Sequence, residues 1–184
     1  MSKVYFVTDT ETTGPAFAIH NMYQMATVPV LADGTVLQGM SCNLAFSTDQ
    51  HDPDTLDFLQ RDLGFTPELW MQRDDLLKPV IAMQKLQHFI RITLDDNGAS
   101  KPIFVADNLA FDWGFVHTYF HRYRSKNPFG YAGRNIPCLS LGLYGSRDAW
   151  EEFRTEAHTH DALEDTRGNA GAFAKMIQDG LKIS

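Results

Sequence analysis

Apolar residues along the chain occur partly in continuous runs and partly at helical spacing, which predicts both strands and helices. The run at 3–8 (KVYFVT) is typical of a strand that is buried on both faces. Asp33-Gly34 predicts a hairpin turn, and Pro29 places its own strand at an edge or makes it irregular there. The predicted strands cover residues 3–8, 22–31, 35–46, 101–107 and 136–141.

Apolar residues three and four positions apart predict helices between and after these strands. Gly64 and Pro67 break the segment 53–72 into short helices, and a loop rich in proline and glycine covers 125–135. The other predicted helices cover 79–93, 108–123, 148–156 and 161–178. Strands first, then strands alternating with helices, predict an α/β fold in which helices flank a mixed β-sheet. Active sites in such sheets gather at strand ends.

Length and composition set the frame for any function. A chain of 184 residues predicts one domain, 1–184. No apolar stretch is long enough for a membrane span, and the N-terminus lacks the pattern of an export signal, so we expect a cytoplasmic protein with no membrane partner. Cys42 and Cys138 have no metal-ligand or redox spacing, which favours buried free thiols in a reducing compartment.

The net charge of −7 is unusual for a protein that binds nucleic acid. The charge is uneven, however, because the segment 121–134 holds four Arg or Lys residues and no acid. This aromatic-rich segment either contacts single-stranded nucleic acid by stacking and phosphate contacts or is a solvated loop. The acidity argues against long, tight tracking of a duplex.

Two carboxylates mark the end of the first strand. Asp9 and Glu11 lie on one side of it, because side chains of a strand alternate with period two. Phosphodiester cleavage needs strong positive charge next to the attacking and leaving oxygens. Two hard cations supply this charge, and carboxylates are their natural ligands. Taken alone, this pair fits a solvated loop start as well. Further along the chain follow Asp112, His160 and Asp165.

Three motifs resemble those of the DEDD 3′–5′ exonucleases, the DnaQ-like branch of the ribonuclease H-like superfamily. They are DTETTG at 9–14, NLAFD at 108–112 and HDALED at 160–165. The resemblance implies that two Mg²⁺ or Mn²⁺ ions are bound by Asp9, Glu11, Asp112 and Asp165. It also implies that Thr12, Thr13 and Asn108 contact the substrate. On its own, Asp112 could equally stabilise a helix N-terminus.

The third motif assigns a subfamily. His160 stands five residues before Asp165, as in the DEDDh group, where it would act as the general base. The neighbouring His158 is expected to be an exposed loop residue, and Asp161 to cap the last helix. The chain departs from the family at Asp107, where many members have His, and at Gln24, where an acid is common. Neither departure is expected to remove a metal ligand.

The resemblance implies a metal-dependent 3′–5′ exonuclease that releases nucleoside monophosphates from a free 3′ end. Single-stranded nucleic acid is the expected partner, with DNA slightly favoured over RNA. The alternatives are an RNA-trimming exoribonuclease or oligoribonuclease, an endonuclease on the same fold, and a non-catalytic ribonuclease H-like module that binds nucleic acid or a polymerase. The sequence does not decide whether the protein binds a polymerase or forms a homodimer, nor what the segment 53–72 does.

Overall fold

A computed structural model describes residues 2–123 and 126–183. Its centre is one five-stranded sheet with strand order β3-β2-β1-β4-β5. The strands are β1 (Lys3–Thr12), β2 (Met22–Leu31), β3 (Met40–Asn43), β4 (Lys101–Ala106) and β5 (Gly133–Asn135). β2 is antiparallel to both of its neighbours, β1 and β3, whereas β1, β4 and β5 run parallel to one another. The predicted mixed sheet of an α/β fold is therefore confirmed.

In the described residues, six α-helices and one short 3₁₀ helix surround the sheet. The α-helices are α1 (Pro53–Leu63), α2 (Pro67–Met71), α3 (Pro79–Asp96), α4 (Leu109–Tyr123), α5 (Ile136–Tyr144) and α6 (Ala162–Gln178). The 3₁₀ helix covers Ala149–Phe153. None of the helices in the described part of the chain has the length and apolar composition of a membrane span.

The alternation of β1 divides the core into two layers. Val4 and Phe6 point to the side covered by α3 and α4, whereas Tyr5 and Val7 point to the side covered by α5 and α6. All four side chains are buried, as the continuous apolar run predicts. Helices cover both faces of the sheet, so the polar side chains that follow on β1 are accessible only from the end of the sheet.

The predicted strand at 136–141 is wrong, because these residues begin helix α5. The Asn135 side chain accepts a hydrogen bond of 2.9 Å from the Cys138 backbone N–H and so caps the helix, with Pro137 in its first turn. The strand, β5, is only three residues long and lies at the end of the predicted loop 125–135. A short apolar run does not distinguish a strand from a buried helix.

Smaller differences concern the ends of elements. Of the predicted strand 35–46, only Met40–Asn43 forms β3, and the predicted helix 148–156 is a five-residue 3₁₀ helix. Cys42 is buried as expected, but Cys138 is exposed. In the basic segment 121–134, Phe129 packs in the core, whereas Arg124 and Ser125 lie outside the described residues.

Several local predictions are confirmed. Gly64 ends α1 in a left-handed conformation (φ 64°), which separates it from α2. Gly34 forms the turn after β2, with its N–H donating to the Leu31 carbonyl. Pro29 lies beyond the part of β2 that pairs with β3, so its missing N–H does not interrupt that ladder.

Replacing Tyr119 with Phe should lower the free energy of unfolding by about 1–3 kcal/mol. The buried backbone N–H of Met22 donates to the Tyr119 hydroxyl at 2.8 Å and would lose its acceptor. Urea denaturation measures the difference, and Tyr131→Phe is the control because Tyr131 is 93% exposed. Equal stabilities of the two variants would contradict the assignment of this bond.

A candidate two-metal active site

The carboxylates of β1 lie where the strand leaves the core. Asp9 and Glu11 continue the side of the strand that faces α6, and a bulge between Glu11 and Thr12 interrupts the pairing with β2. Ligand oxygens of Asp9, Glu11 and Asp165 all lie within 4.8 Å of one another. Thus β1 and α6 bring together three of the four predicted metal ligands.

The fourth predicted ligand, Asp112, projects from the first turn of α4. Its side chain is almost fully buried, and its Oδ1 accepts hydrogen bonds from the Thr10 backbone N–H (3.0 Å) and hydroxyl (2.8 Å). Oxygens of Asp9, Asp107 and Asp112 form a second group within 4.8 Å. Asp9 belongs to both groups, which is the position that a carboxylate bridging two ions needs.

Asp165 is held by an unusually large set of donors at the start of α6. Its Oδ1 accepts from the Arg154 guanidinium (3.1 Å) and the Thr159 N–H (3.1 Å), and the His158 Nδ1 lies 2.8 Å away. Among the described residues, its Oδ2 accepts only the His160 N–H, at 3.0 Å. Oδ1 is therefore saturated, whereas Oδ2 keeps a lone pair for an ion.

The predicted base His160 stands at the edge of this cluster. Its ring is 5.2 Å from that of Phe58 on α1 and 4.5 Å from that of His158, measured between centroids. Its backbone has φ of 59°, a left-handed conformation that is rare for a residue with a side chain and common at functional sites. The hydrogen bond from its N–H to Asp165 stabilises this conformation.

His158 is exposed, as predicted, but its contact with Asp165 could not be foreseen from the sequence. Its imidazole, that of His160 and the Asp165 carboxylate have ligand atoms within 4.8 Å of one another. Two imidazoles therefore border the carboxylates. Only His160 stands five residues before Asp165, which is the spacing of the motif, so the assignment of the base needs a direct test.

Gln24 joins β2 to the start of α6. Its amide nitrogen donates to Asp161 Oδ2 (3.1 Å), and its amide oxygen accepts the Ala162 N–H (3.0 Å). Asp161 caps α6 through the N–H groups of Leu163 and Glu164, as predicted. An acid at position 24 could not donate to Asp161. The Gln24 amide thus stabilises the start of α6, which agrees with the expectation that this departure from the family removes no metal ligand.

The residues predicted to contact substrate differ in exposure. Thr12 and Thr13 are buried, and their hydroxyls serve the loop: that of Thr12 donates to the Gly14 carbonyl, and that of Thr13 accepts the Asn21 N–H. Asn108 is exposed beside the carboxylates at the start of α4. The Asn108 side chain can therefore contact a substrate, whereas the two threonine hydroxyls cannot.

Burial and mutual repulsion raise the pKa values of the clustered carboxyl groups. Burial first, then the charges of Asp165 and Asp112, raises the pKa of Glu11 to about 8. Burial and the charge of Asp107 raise the pKa of Asp112 to about 8, against the opposing effect of its hydrogen bonds from Thr10. The pKa of Asp9 is raised well above its usual value, by burial first and then by Asp112.

The donor set fits divalent cations. Asp9 Oδ2 is buried and has no hydrogen-bond partner among the described residues. An unpaired buried oxygen among other carboxylates is costly unless a positive charge is bound. Carboxylate oxygens are the ligands that Mg²⁺ and Mn²⁺ prefer. Asp9, Glu11, Asp112 and Asp165 can together hold such ions.

Sequence reasoning missed two further residues of the site. The family resemblance marks Asp107 only as a departure that removes no metal ligand, although its position at the end of a predicted strand is a usable signal. Arg154 precedes Asp165 by eleven residues in an irregular segment and belongs to no motif, so nothing in the sequence pointed to it. Its guanidinium also contacts Asn169 and so fixes the loop to α6.

No family model matches the sequence. A 3′–5′ DNA exonuclease, Cap18 of Escherichia coli, is 29% identical over 182 residues, which cover 93% of this chain and 90% of that protein. A full-length 3′-exonuclease has a similar structure with a TM-score of 0.70 and 19% identity, covering 99% of this chain and 84% of the other.

Structures of exonuclease I are also similar. Those of the Escherichia coli enzyme with a dA16 oligonucleotide and of the Methylocaldum szegediense enzyme have TM-scores of 0.65 and 0.61, at 13% and 16% identity. They match 98% and 95% of this chain, which spans only about 40% of their length. The fold is thus that of ribonuclease H-like exonucleases, and the resemblance of the chain to the DnaQ-like 3′–5′ exonucleases is confirmed.

Proposed function

We propose that this chain is a DEDDh-type 3′–5′ exonuclease that removes nucleoside monophosphates from single-stranded DNA. The observation that carries the proposal is the convergence of four acids from β1, α4 and α6, with Asp9 common to both carboxylate groups. The Escherichia coli relative, a 3′–5′ DNA exonuclease, supports the choice of DNA and of direction. Exonuclease I in complex with an oligonucleotide supports a single-stranded substrate.

The carboxylates would hold two Mg²⁺ or Mn²⁺ ions. When bound, the ions would neutralise the charge that develops on the phosphate and its leaving oxygen. Asp165 would contribute Oδ2, because its Oδ1 is committed to Arg154 and the loop. Asp112 would contribute Oδ2 as well, since Thr10 occupies its Oδ1. These hydrogen bonds fix the orientation of both ligands before any ion arrives.

His160 would accept the proton of the attacking water. The ring is placed by its contact with Phe58, and its backbone by the bond to Asp165. A base that depends on a metal ligand for its position acts only when that ligand is in place. A nucleic-acid-binding module would need neither the imidazole nor four converging acids, which is why we favour an enzyme over the non-catalytic alternative.

The proposal is tested with purified protein and single-stranded DNA and RNA labelled at the 5′ or the 3′ end. With Mg²⁺ or Mn²⁺, 5′-labelled DNA should give a ladder that shortens stepwise, and the 3′ label should appear at once as a mononucleotide. Chelation by EDTA should stop both. Faster loss of RNA than of DNA would select the exoribonuclease alternative.

Direction is tested with blocked ends. A circular single strand and a strand with a 3′-terminal phosphate should resist, because cleavage begins at a free 3′-hydroxyl. The matched linear strand of equal sequence is the control. Rapid cutting of the circle would move the assignment to an endonuclease. Cleavage that persists after exhaustive chelation would remove the metal ions from the mechanism.

Replacing His160 with Ala should lower kcat by about 10²–10⁴-fold, because a positioned general base is lost. His158→Ala is the matched control, one exposed imidazole two positions away, and should cost far less. Initial rates over a pH series at saturating metal should lose their acidic limb in His160→Ala only. The reverse result would assign the base to His158 and its contact with Asp165.

The metal-free protein should lose stability as the pH rises. Glu11 and Asp112 have folded-state pKa values of about 8, above the ordinary values of 4.5 and 3.8. Their contribution is therefore fully present below about pH 4 and is lost progressively as the pH rises to about 8. Melting temperatures in EDTA should fall over this window. Saturating Mg²⁺ should reverse the loss, because it binds only the folded state.

Two variants separate this effect from other titrations. Glu11→Gln removes one of the raised carboxyl groups and should flatten the decline of the melting temperature with pH. Asp96→Asn removes one exposed charge at the end of α3 and should leave the decline unchanged. If both variants show the same slope as the unaltered chain, the repulsion among the clustered acids does not limit stability.

A further inference from the structure

We propose that Asp107 is a fifth carboxylate ligand of the metal centre and binds the ion on the Asp112 side. This inference rests on the proposed function, because it requires a metal centre at the end of β1. It adds a ligand where the family resemblance implied none, since many related sequences carry His at this position. The support comes from strand register, hydrogen bonding and distance.

The parallel pairing of β1 and β4 places Asp107 beside Asp9. Val7 is opposite Val105 in the register of the two strands. Two residues further along the chain stand Asp9, within β1, and Asp107, the first residue after β4. The end of β4 therefore brings Asp107 next to Asp9, and oxygens of the two side chains lie within 4.8 Å of one another.

Hydrogen bonds fix one part of Asp107 and leave the other free. The Asn135 side chain donates to the Asp107 carbonyl at 2.7 Å, which holds the backbone after β4. The Asn108 N–H donates to Asp107 Oδ1 at 2.7 Å. No hydrogen bond to Oδ2 is found among the described residues, so this oxygen keeps both lone pairs for a ligand.

The two carboxylates next to Asp107 also have an oxygen to which no hydrogen bond is found in the described part of the chain. Asp112 uses Oδ1 for Thr10, and Asp9 has a buried Oδ2 without a hydrogen-bond partner in the described part of the chain. Oxygens of Asp9, Asp107 and Asp112 lie within 4.8 Å of one another. The unpartnered buried oxygen of Asp9 is the independent sign that this group of acids accommodates a cation.

A role for Asp107 in helix capping alone does not explain this arrangement. A capping side chain accepts the N–H of the second or third helical residue, whereas Asp107 accepts that of the next residue, Asn108, which precedes α4. The hydrogen bond also uses only one of the two carboxylate oxygens. Removing the charge while keeping the acceptor therefore separates the two roles.

An additional carboxylate makes the site on the Asp112 side more negative, so it should bind an ion even before nucleic acid arrives. Asp107→Asn keeps an amide oxygen for the Asn108 N–H but removes the negative charge. We expect it to weaken the affinity for one ion by about tenfold or more, because loss of groups that merely orient ligands already has effects of this size.

The test is calorimetric titration of Mn²⁺ into the metal-free 184-residue chain without nucleic acid. Asp107→Asn should bind one ion normally and the other about tenfold or more weakly, whereas Asp107→Glu, which keeps a carboxylate, should lose less. Asp96→Asn controls for the loss of one negative charge. Circular dichroism verifies that each variant is folded, and Asp107→Ser replaces Asp107→Asn if the latter is not.

Asp9→Asn separates failure of this inference from failure of the proposed function. If Asp9→Asn loses Mn²⁺ binding while Asp107→Asn binds like Asp96→Asn, the metal centre stands and Asp107 is not a ligand. If Asp9→Asn also binds like the control, the metal centre itself is refuted, and the proposed function with it. Weaker binding of one Mn²⁺ ion in Asp107→Asn, with the other ion bound normally, supports Asp107 as the fifth ligand.

Discussion

Electrostatic repulsion among buried carboxylates at the end of β1 is the constraint on which the site depends. Asp9, Glu11 and Asp112 all have raised pKa values because burial and neighbouring acids oppose their ionisation. Such a cluster persists only where the surrounding fold is rigid. Two covered faces of the sheet, and the two hydrogen bonds from Thr10 to Asp112, provide that rigidity. The cost becomes useful when divalent cations bind.

A second constraint links the predicted metal ligand Asp165 to the predicted base His160. Asp165 accepts N–H groups from both Thr159 and His160, and Arg154 neutralises part of its charge. The loop before α6 therefore takes its shape from the same carboxylate that would bind an ion through Oδ2. Ligand orientation and the left-handed backbone of His160 are consequently set together. A change at Arg154 would therefore disturb both.

The sequence predicts the features that depend on residues close together along the chain. The buried strand β1 and the cap at Asp161 are local, and the structure agrees with them. Helix α5 was predicted as a strand because a six-residue apolar run has no distinguishing period. Asp107 and Arg154 depend on the register of β4 and on loop packing. These are tertiary features that spacing along one chain does not contain.

The acidity of the chain then has a physical explanation. The two divalent ions of the proposed function would add four positive charges to the net charge of −7 and give −3, so the protein would still be acidic with both ions bound. Long-range attraction of a polyanion is therefore weak, and the strongest positive field lies at the ions themselves. A strand would be held mainly where its terminal phosphate meets the metal centre and only weakly elsewhere. This distribution suits an enzyme that acts at chain ends and releases its substrate readily.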